Sequence, residues 1–378
     1  MILHLVVDEK FIDYAISHFE QVAPLQNVFA VIIPSPDYVL KHIQQKEKVR
    51  LMADSDENVN KLMLELYQYD AVIFHSLFPL FFLKILHFAD LHRIKLVWLF
   101  WGGEFYDHPL IINKYIGKLT SITFYQPFKY VLNKGKNLIK EIMKKNKLSI
   151  AKNIYKISHI IISPEDYVRI KREWGGHAKL MQYNYYSIEK TVESLMNEYV
   201  SGNNIFLGNS ATITNNHLEV FYRIKKIDLK GRKIIVPLSY GGNLKYRDCI
   251  VRQGQKLWGN DFIPLMTFLE RERYNRCILD CNIVIMNHYR QQAMGNMITA
   301  LWLGAKLFMS EKSPIYRYFK DMGIIVYTVE KELCPENPTI FIPLTIEEIK
   351  TNRNILYNQY SLSSVLKNVD LLVKELSI

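Results

Sequence analysis

Residues 283–310 run from a short apolar stretch, Ile283–Met286, through a polar segment, His288–Gly295, into an apolar helical pattern, Asn296–Leu303. Gly304 stops that pattern, and a second apolar stretch, Lys306–Met309, follows. This reads as one strand-loop-helix-strand unit. In open α/β sheets ligands bind in the loops that leave the carboxyl ends of the strands. Here that loop carries Arg290, Gln291, Gln292 and Gly295, and Asn296 is expected to cap the helix behind it. Free backbone N–H groups at the helix start and the Arg290 guanidinium favour an anion, and the glutamines add donors and acceptors. A diphosphate, with a sugar beside it, fits this chemistry. An ordinary βα loop with a solvated arginine is the other reading of the same residues.

The same alternation runs through the chain. Strands are expected at Ile2–Val7, Asn27–Ile33, Ala71–Phe74, Lys95–Phe100 and His159–Ile162. A second series comprises Ile205–Leu207, Lys233–Leu238, Phe262–Met266, Ile283–Met286, Lys306–Met309 and Ile324–Tyr327, with helical patterns between. Strands alternating with helices imply the α/β class and parallel sheets. A chain of 378 residues suits two domains better than one core. The two series meet near 189–204, which ends in the linker-like Ser201-Gly202-Asn203-Asn204. The expected architecture is two doubly wound, Rossmann-like domains facing each other across a cleft built from the carboxyl ends of both sheets. The first spans 1–195, the second 204–355, and a C-terminal helix in 356–378 is expected to pack back on the first.

The formal net charge is +11, so an anionic partner is expected. Nearly all of the excess sits in 113–156, where eleven Lys face the single acid Glu141. Aromatic and aliphatic residues are interleaved with Lys129, Lys134, Lys136, Lys140, Lys144, Lys145 and Lys147. Such a basic amphipathic segment suits an anionic membrane leaflet, at roughly 1 kcal/mol per Lys near the surface. Single-stranded RNA competes for the same pattern, and a solvated helical face is the plain alternative. Lysine without arginine fits non-directional attraction better than base reading, so nucleic acid is not the expected partner. The most apolar stretch, Ala71–Ala89, is interrupted by His75, Pro79, Lys84 and His87, and the N-terminus is too acidic for a signal peptide. Membrane contact is therefore expected to be peripheral. The cysteines, Cys249, Cys277, Cys281 and Cys334, form no CxxC pair, which suggests a reducing compartment and no metal site.

Other residues with chemistry sit at expected strand ends. Trp101-Gly102-Gly103-Glu104-Phe105-Tyr106-Asp107 follows a buried strand, and its glycines permit a tight turn. Glu104 is the first candidate for a general base toward a substrate hydroxyl, with His75 and Asp107 behind it. Each also has a plain structural reading, as a turn or cap acid or a strand-end histidine. Gly208-Asn209-Ser210 opens the second series with a loop suited to phosphate, but it is neither a Walker loop nor GxGxxG. Tyr240, ahead of Gly241-Gly242-Asn243, can join the same site. Asp54-Ser55-Asp56-Glu57 reads as a helix cap rather than as metal ligands, so no metal and no cofactor are expected.

Taken in order, Trp101–Asp107, Leu207–Ser210 with Asn216-His217, Val236–Tyr240, Leu269–Asp280, and Arg290-Gln291-Gln292 with Gly295 resemble the TDP-Fuc4NAc:lipid II Fuc4NAc transferases of enterobacterial common antigen synthesis. These blocks extend from about His75 to about Phe319. The resemblance implies a GT-B glycosyltransferase that takes a nucleotide sugar, TDP- or UDP-linked, and a polyprenyl-diphosphate-linked acceptor at the cytoplasmic face of the bacterial inner membrane. Glu104 stands where the family's motif typically has Asp, and Ala293 where a glycine is expected. An O-antigen or capsule pathway with a related deoxy-amino sugar is an equal reading. Two others stay open: a kinase acting on a lipid-linked glycan, and a non-catalytic, nucleotide-binding subunit that anchors a partner to the membrane. Stereochemistry, the acceptor saccharide and the oligomeric state are not fixed by these residues.

Overall fold

The computed structural model describes residues 1–89, 94–109, 111–124 and 149–376. The chain forms two compact units. The first holds the described residues of 1–105, 149–187 and 360–376, and the second holds 106–124 and 188–359.

The first unit is built on seven strands: β1 (Ile2–Val6), β2 (Asn27–Ile33), β3 (Val49–Ala53), β4 (Ala71–His75), β5 (Lys95–Leu99), β6 (His159–Ile161) and β7 (Lys179–Met181). All pair in parallel, in the order β3-β2-β1-β4-β5-β6-β7. Strands β1 and β4 are apolar runs buried along their whole length, as central strands covered on both faces must be. Two strands were not expected from the sequence. β3 is an edge strand, half exposed, with Arg50 inside it, and β7 has only three residues, none of them fully buried. Neither shows the continuous apolar run of a buried strand. The acidic segment Asp54–Glu57 follows β3 directly, and Ser55 caps the helix Asp56–Glu65, as expected of a helix cap, by accepting from the Asn58 amide at 3.2 Å.

Local chemistry sets the helix ends. In Pro164–Trp174 the Ser163 hydroxyl accepts from the Asp166 amide and donates to the Asp166 carboxylate, with Pro164 in the first turn and Gly175 beyond the last at φ +80°. The helix Leu362–Leu376 packs on Ile12–Val22 and buries Val365, Val369 and Leu372 in the core of this unit.

The second unit has six parallel strands: β8 (Asn204–Leu207), β9 (Ile234–Pro237), β10 (Phe262–Leu265), β11 (Cys281–Met286), β12 (Lys306–Met309) and β13 (Tyr327–Thr328). Their order is β10-β9-β8-β11-β12-β13. The winding reverses between β8 and β11, so their carboxyl-end loops flank a topological switch point. The segment 106–124, expected in the first domain, belongs to this unit. Gly117 donates its amide to Asn216 Oδ1 at 2.7 Å, and Thr120 donates its amide to Glu219 at 2.9 Å. The strand expected at Ile324–Tyr327 shrinks to two residues because the amides of Ile324 and Ile325 go to Phe319 O and Asn352 Oδ1.

Lysines 129, 134, 136, 140, 144, 145 and 147 lie outside the described residues. Lys156, from the same basic segment, turns inward and donates to the carbonyls of His87 and Ala89 at the end of the helix Leu80–Phe88. Among the described residues no helix is long and apolar enough to cross a membrane, and no group of three or more His, Cys, Asp or Glu is arranged to hold a metal ion.

Candidate functional site

The loop after β8 begins with Gly208 at φ +70°. A Cβ there would lie 2.7 Å from both Asn215 Oδ1 and His217 Nε2, so only glycine lets the backbone pass these side chains. Asn209 is the hub of the loop. Its Nδ2 donates to the Tyr240 hydroxyl at 2.9 Å, and its Oδ1 accepts from Gln292 Nε2 at 2.9 Å. Thr214 in turn donates to Gln292 Oε1 at 2.8 Å. These bonds tie together the loops after β8, β9 and β11, which are far apart in the chain. Ser210 is turned inward, accepting from Asn215 Nδ2 at 3.1 Å and sharing a bond with Thr212 Oγ1.

The same network fixes where the buried His288 carries its proton. Asn215 Nδ2 donates to the Thr212 carbonyl, so its Oδ1 accepts from the Asn209 amide (2.9 Å) and from His288 Nε2 (3.0 Å). His288 is therefore protonated on Nε2 and leaves Nδ1 as a bare acceptor. The Tyr246 hydroxyl accepts from the His217 amide at 3.2 Å and shares a second hydrogen bond with His217 Nδ1 at 2.9 Å. Burial holds both imidazoles neutral, down to about 3, and His288 also feels His217 and Arg290. His217 Nε2 and His288 Nδ1 are buried without a hydrogen-bond partner among the described residues.

Arg290 donates to Asp107 at 2.5 Å and lies 5.3 Å from the Tyr106 ring centroid. Its Nε, and Oε1 of Gln291, are buried and unpaired among the described residues. Two expectations need correction here. Asn296 does not cap the following helix. That helix starts earlier, at Met294, with Ala293 at φ +60° in the capping position, and Asn296 donates from within it to the Tyr274 hydroxyl. The cause is the left-handed residue, which turns the chain into the helix before Asn296 is reached. Gly295 therefore sits in the first helical turn rather than at the end of the loop, and a Cβ on it would meet open space.

Beside the β11 loop lies a cavity of about 450 Å³ lined by Asn287, Tyr289, Lys312, Glu330, Glu219 and Leu333. A larger cavity, about 620 Å³, opens around Arg232 and Phe341 at the amino-terminal edge of the sheet, away from these loops.

In the first unit Glu104 is almost fully buried. Its Oε1 accepts from the Trp98 indole (3.1 Å) and the Trp101 amide (3.0 Å), while Oε2 has no well-formed bond among the described residues. Burial raises its pKa above the ordinary carboxyl value, opposed by nearby amides and the Trp98 indole. His75 is fully enclosed and bonded on both ring nitrogens, to His4 and to Tyr185. Asp107, by contrast, is half exposed and committed to Arg290. Sequence reasoning passed over Thr214, Asn215 and His288 as site residues and took His217 only as part of a motif. The available signal was polar residues placed directly after an apolar strand, where a solvated loop gives the same pattern.

Two doubly wound parallel units in one chain, with a polar loop pair at the second unit's switch point, define a class: the fold is that of the GT-B glycosyltransferases. Its likeness to solved structures runs the length of the chain. HepE of Anabaena in complex with UDP superposes with a TM-score of 0.62 at 11% identity, over 99% of each chain. The same protein with UDP-glucose gives 0.58 at 10% identity, again over 99% of each. Sucrose-phosphate synthase from Thermosynechococcus elongatus gives 0.63 at 9%, over 100% of this chain and 99% of that one. Within this fold, residues 166–338 match the family described as 4-alpha-L-fucosyltransferase, glycosyl transferase group 56. The matched segment contains both loops at the second switch point.

Proposed function

We propose that the protein is a glycosyltransferase that moves a deoxy-amino sugar of the Fuc4NAc type from a nucleoside-diphosphate donor to a polyprenyl-diphosphate-linked saccharide. The observation that carries this reading is the cluster of unpaired buried polar atoms in the β8 and β11 loops: His217 Nε2, His288 Nδ1, Arg290 Nε and Gln291 Oε1. Buried polar groups are nearly always hydrogen-bonded, so a cluster of exceptions at a switch point fits a polar ligand. Arg290 would stabilise the charge that develops on the departing diphosphate, within a loop held rigid by Asn209, Gln292 and Tyr240. The cavity beside Tyr289 has room for the nucleoside. The HepE complexes with UDP and UDP-glucose, and the fucosyltransferase family match, support a sugar-nucleotide donor.

Glu104 would accept the proton of the acceptor hydroxyl. A carboxyl whose pKa is raised by burial is a stronger base once ionised. Lysines 129–147 would hold the enzyme on the anionic leaflet that carries the acceptor, at the cytoplasmic face of the inner membrane.

A thermal-shift panel of TDP, UDP, GDP, CMP and ADP, each with magnesium and with EDTA, tests the donor half. At about 100 times its Kd a ligand stabilises by roughly 2.7 kcal/mol. The expected result is a shift with TDP or UDP that persists in EDTA and is lost in Arg290→Ala. A shift with ADP and magnesium alone, or none at all, would overturn the proposal.

A further inference from the structure

A second hydrogen-bonded chain, in the first unit, has its direction fixed at one end. Asn27 Nδ2 donates to the carbonyls of Ala23 (2.7 Å) and Phe19 (3.2 Å), so its Oδ1 is the acceptor facing His4 Nε2 at 3.2 Å. His4 thus has a bare Nδ1, which accepts from His75 Nε2 at 3.1 Å. His75 Nδ1 then accepts from the Tyr185 hydroxyl at 2.7 Å, and the Tyr185 oxygen accepts from the Trp101 indole at 3.1 Å. Every nitrogen in the chain has one role and no second tautomer satisfies its neighbours. The two imidazoles are fully buried, with His4 stacked on Phe29.

The exposed end of this chain is a turn that carries chemistry. Trp101 opens the Trp-Gly-Gly-Glu turn, Gly102 takes φ +100°, and the Trp101 amide holds Glu104 Oε1. The Trp101 indole is also packed edge-on by Phe11 at 4.8 Å. Among the described residues, its N–H donates to the Tyr185 hydroxyl.

We propose that His75 is a positioning residue: acting through Tyr185, it orients the Trp101 indole and so holds the turn that presents the Glu104 carboxylate. His75 has no free lone pair for a substrate proton, because Tyr185 occupies Nδ1 and His4 takes the Nε2 proton. The catalytic consequence rests on the reading of Glu104 as the proton acceptor; the positioning itself does not.

Two conservative variants separate the bonds. His75→Asn keeps an acceptor near the Nδ1 position, for Tyr185. His75→Gln reaches the Nε2 position, toward His4, and loses the acceptor. Tyr185→Phe, at a partly exposed residue, breaks the chain without cutting into the core. The readouts are the indole N–H resonance of Trp101 in protein labelled with 15N-tryptophan, assigned through Trp101→Phe, and the steady-state rate with a sugar nucleotide. His75→Asn is expected to keep the Trp101 resonance in place and kcat within about 3-fold. His75→Gln and Tyr185→Phe are expected to shift the resonance and to lower kcat by about 10-fold or more, with KM for the nucleotide sugar unchanged. A Trp101 resonance that is the same in all variants, or better kept by Gln than by Asn, would overturn the proposal, since plain core packing favours the larger Gln. A resonance that moves as expected in a protein with no transferase activity would uphold the positioning and remove the sugar-transfer reading.

Discussion

Two carboxylates three residues apart, Glu104 and Asp107, are given different characters by their surroundings. Glu104 is buried against the Trp98 indole and the Trp101 amide, whereas Asp107 is half exposed and holds Arg290. Their substitutions are therefore expected to diverge. Glu104→Gln should lower kcat by about 10² to 10⁴ and leave nucleotide binding intact, as for loss of a general base. Asp107→Asn should keep kcat and tighten nucleotide binding a few-fold, because it frees the guanidinium of a competing anion. Steady-state kinetics with nucleotide titration checks both, and a collapse of kcat in Asp107→Asn alone would reverse the assignment. The pKa of Glu104 is raised, so the acid limb of kcat/KM is expected above the ordinary carboxyl value of 4.5. What the sequence showed at this scale was residue type at strand ends. Glu104 was legible because two glycines and an acid after a buried strand are unusual. His75 looked equivalent, since nothing local says that its ring meets His4 and Tyr185, 71 and 110 residues away.

At the scale of elements, long buried strands and well-capped helices were the legible part. Asn27–Ile33, Lys306–Met309, Pro164–Trp174 and Leu362–Leu376 carry their bounds in plain apolar periods and caps. The edge strands β3 and β7 did not, because an edge strand exposes polar residues as a loop does. The loops after β8, β9 and β11 lie between these extremes. Their positions follow from the strands, but the bonds that hold them run between distant loops. The glycines at 241 and 242 illustrate this. Both have positive φ, but a Cβ at Gly242 would fall 1.8 Å from the Ala211 carbonyl oxygen, and one at Gly241 2.8 Å from the movable Thr212 hydroxyl. Gly242→Ala is therefore expected to cost more stability than Gly241→Ala. Each carries about 1 kcal/mol of backbone strain, and only Gly242→Ala must also displace backbone. Urea unfolding of the two variants measures the difference, and equal midpoints would contradict it.

Over the whole molecule, buried neutral histidines set the acid response. Burial lowers His4, His217 and His288 to about 3 and His18 to about 4, and His75 lies well below the usual 6.5. In the unfolded chain each binds a proton near 6.5, so between that pH and the folded value the unfolded state holds more protons. Their contribution to stability is thus fully present above about pH 6.5 and is lost as pH falls toward 3, at roughly 1.4 kcal/mol per pH unit for each. Glu104, with its raised pKa, works in the opposite sense. Urea midpoints are expected to fall steeply from pH 7 to pH 5, and a flat profile would show that the imidazoles are not held neutral. The contact of Gly242 with Ala211, together with the bond from the Ala211 amide to the Tyr240 carbonyl, has a further consequence. The loops after β8 and β9 form a single mechanical piece. An engineer exchanging loops here with those of a GT-B glycosyltransferase has to graft both together, since either one alone arrives without the surface it is moulded against.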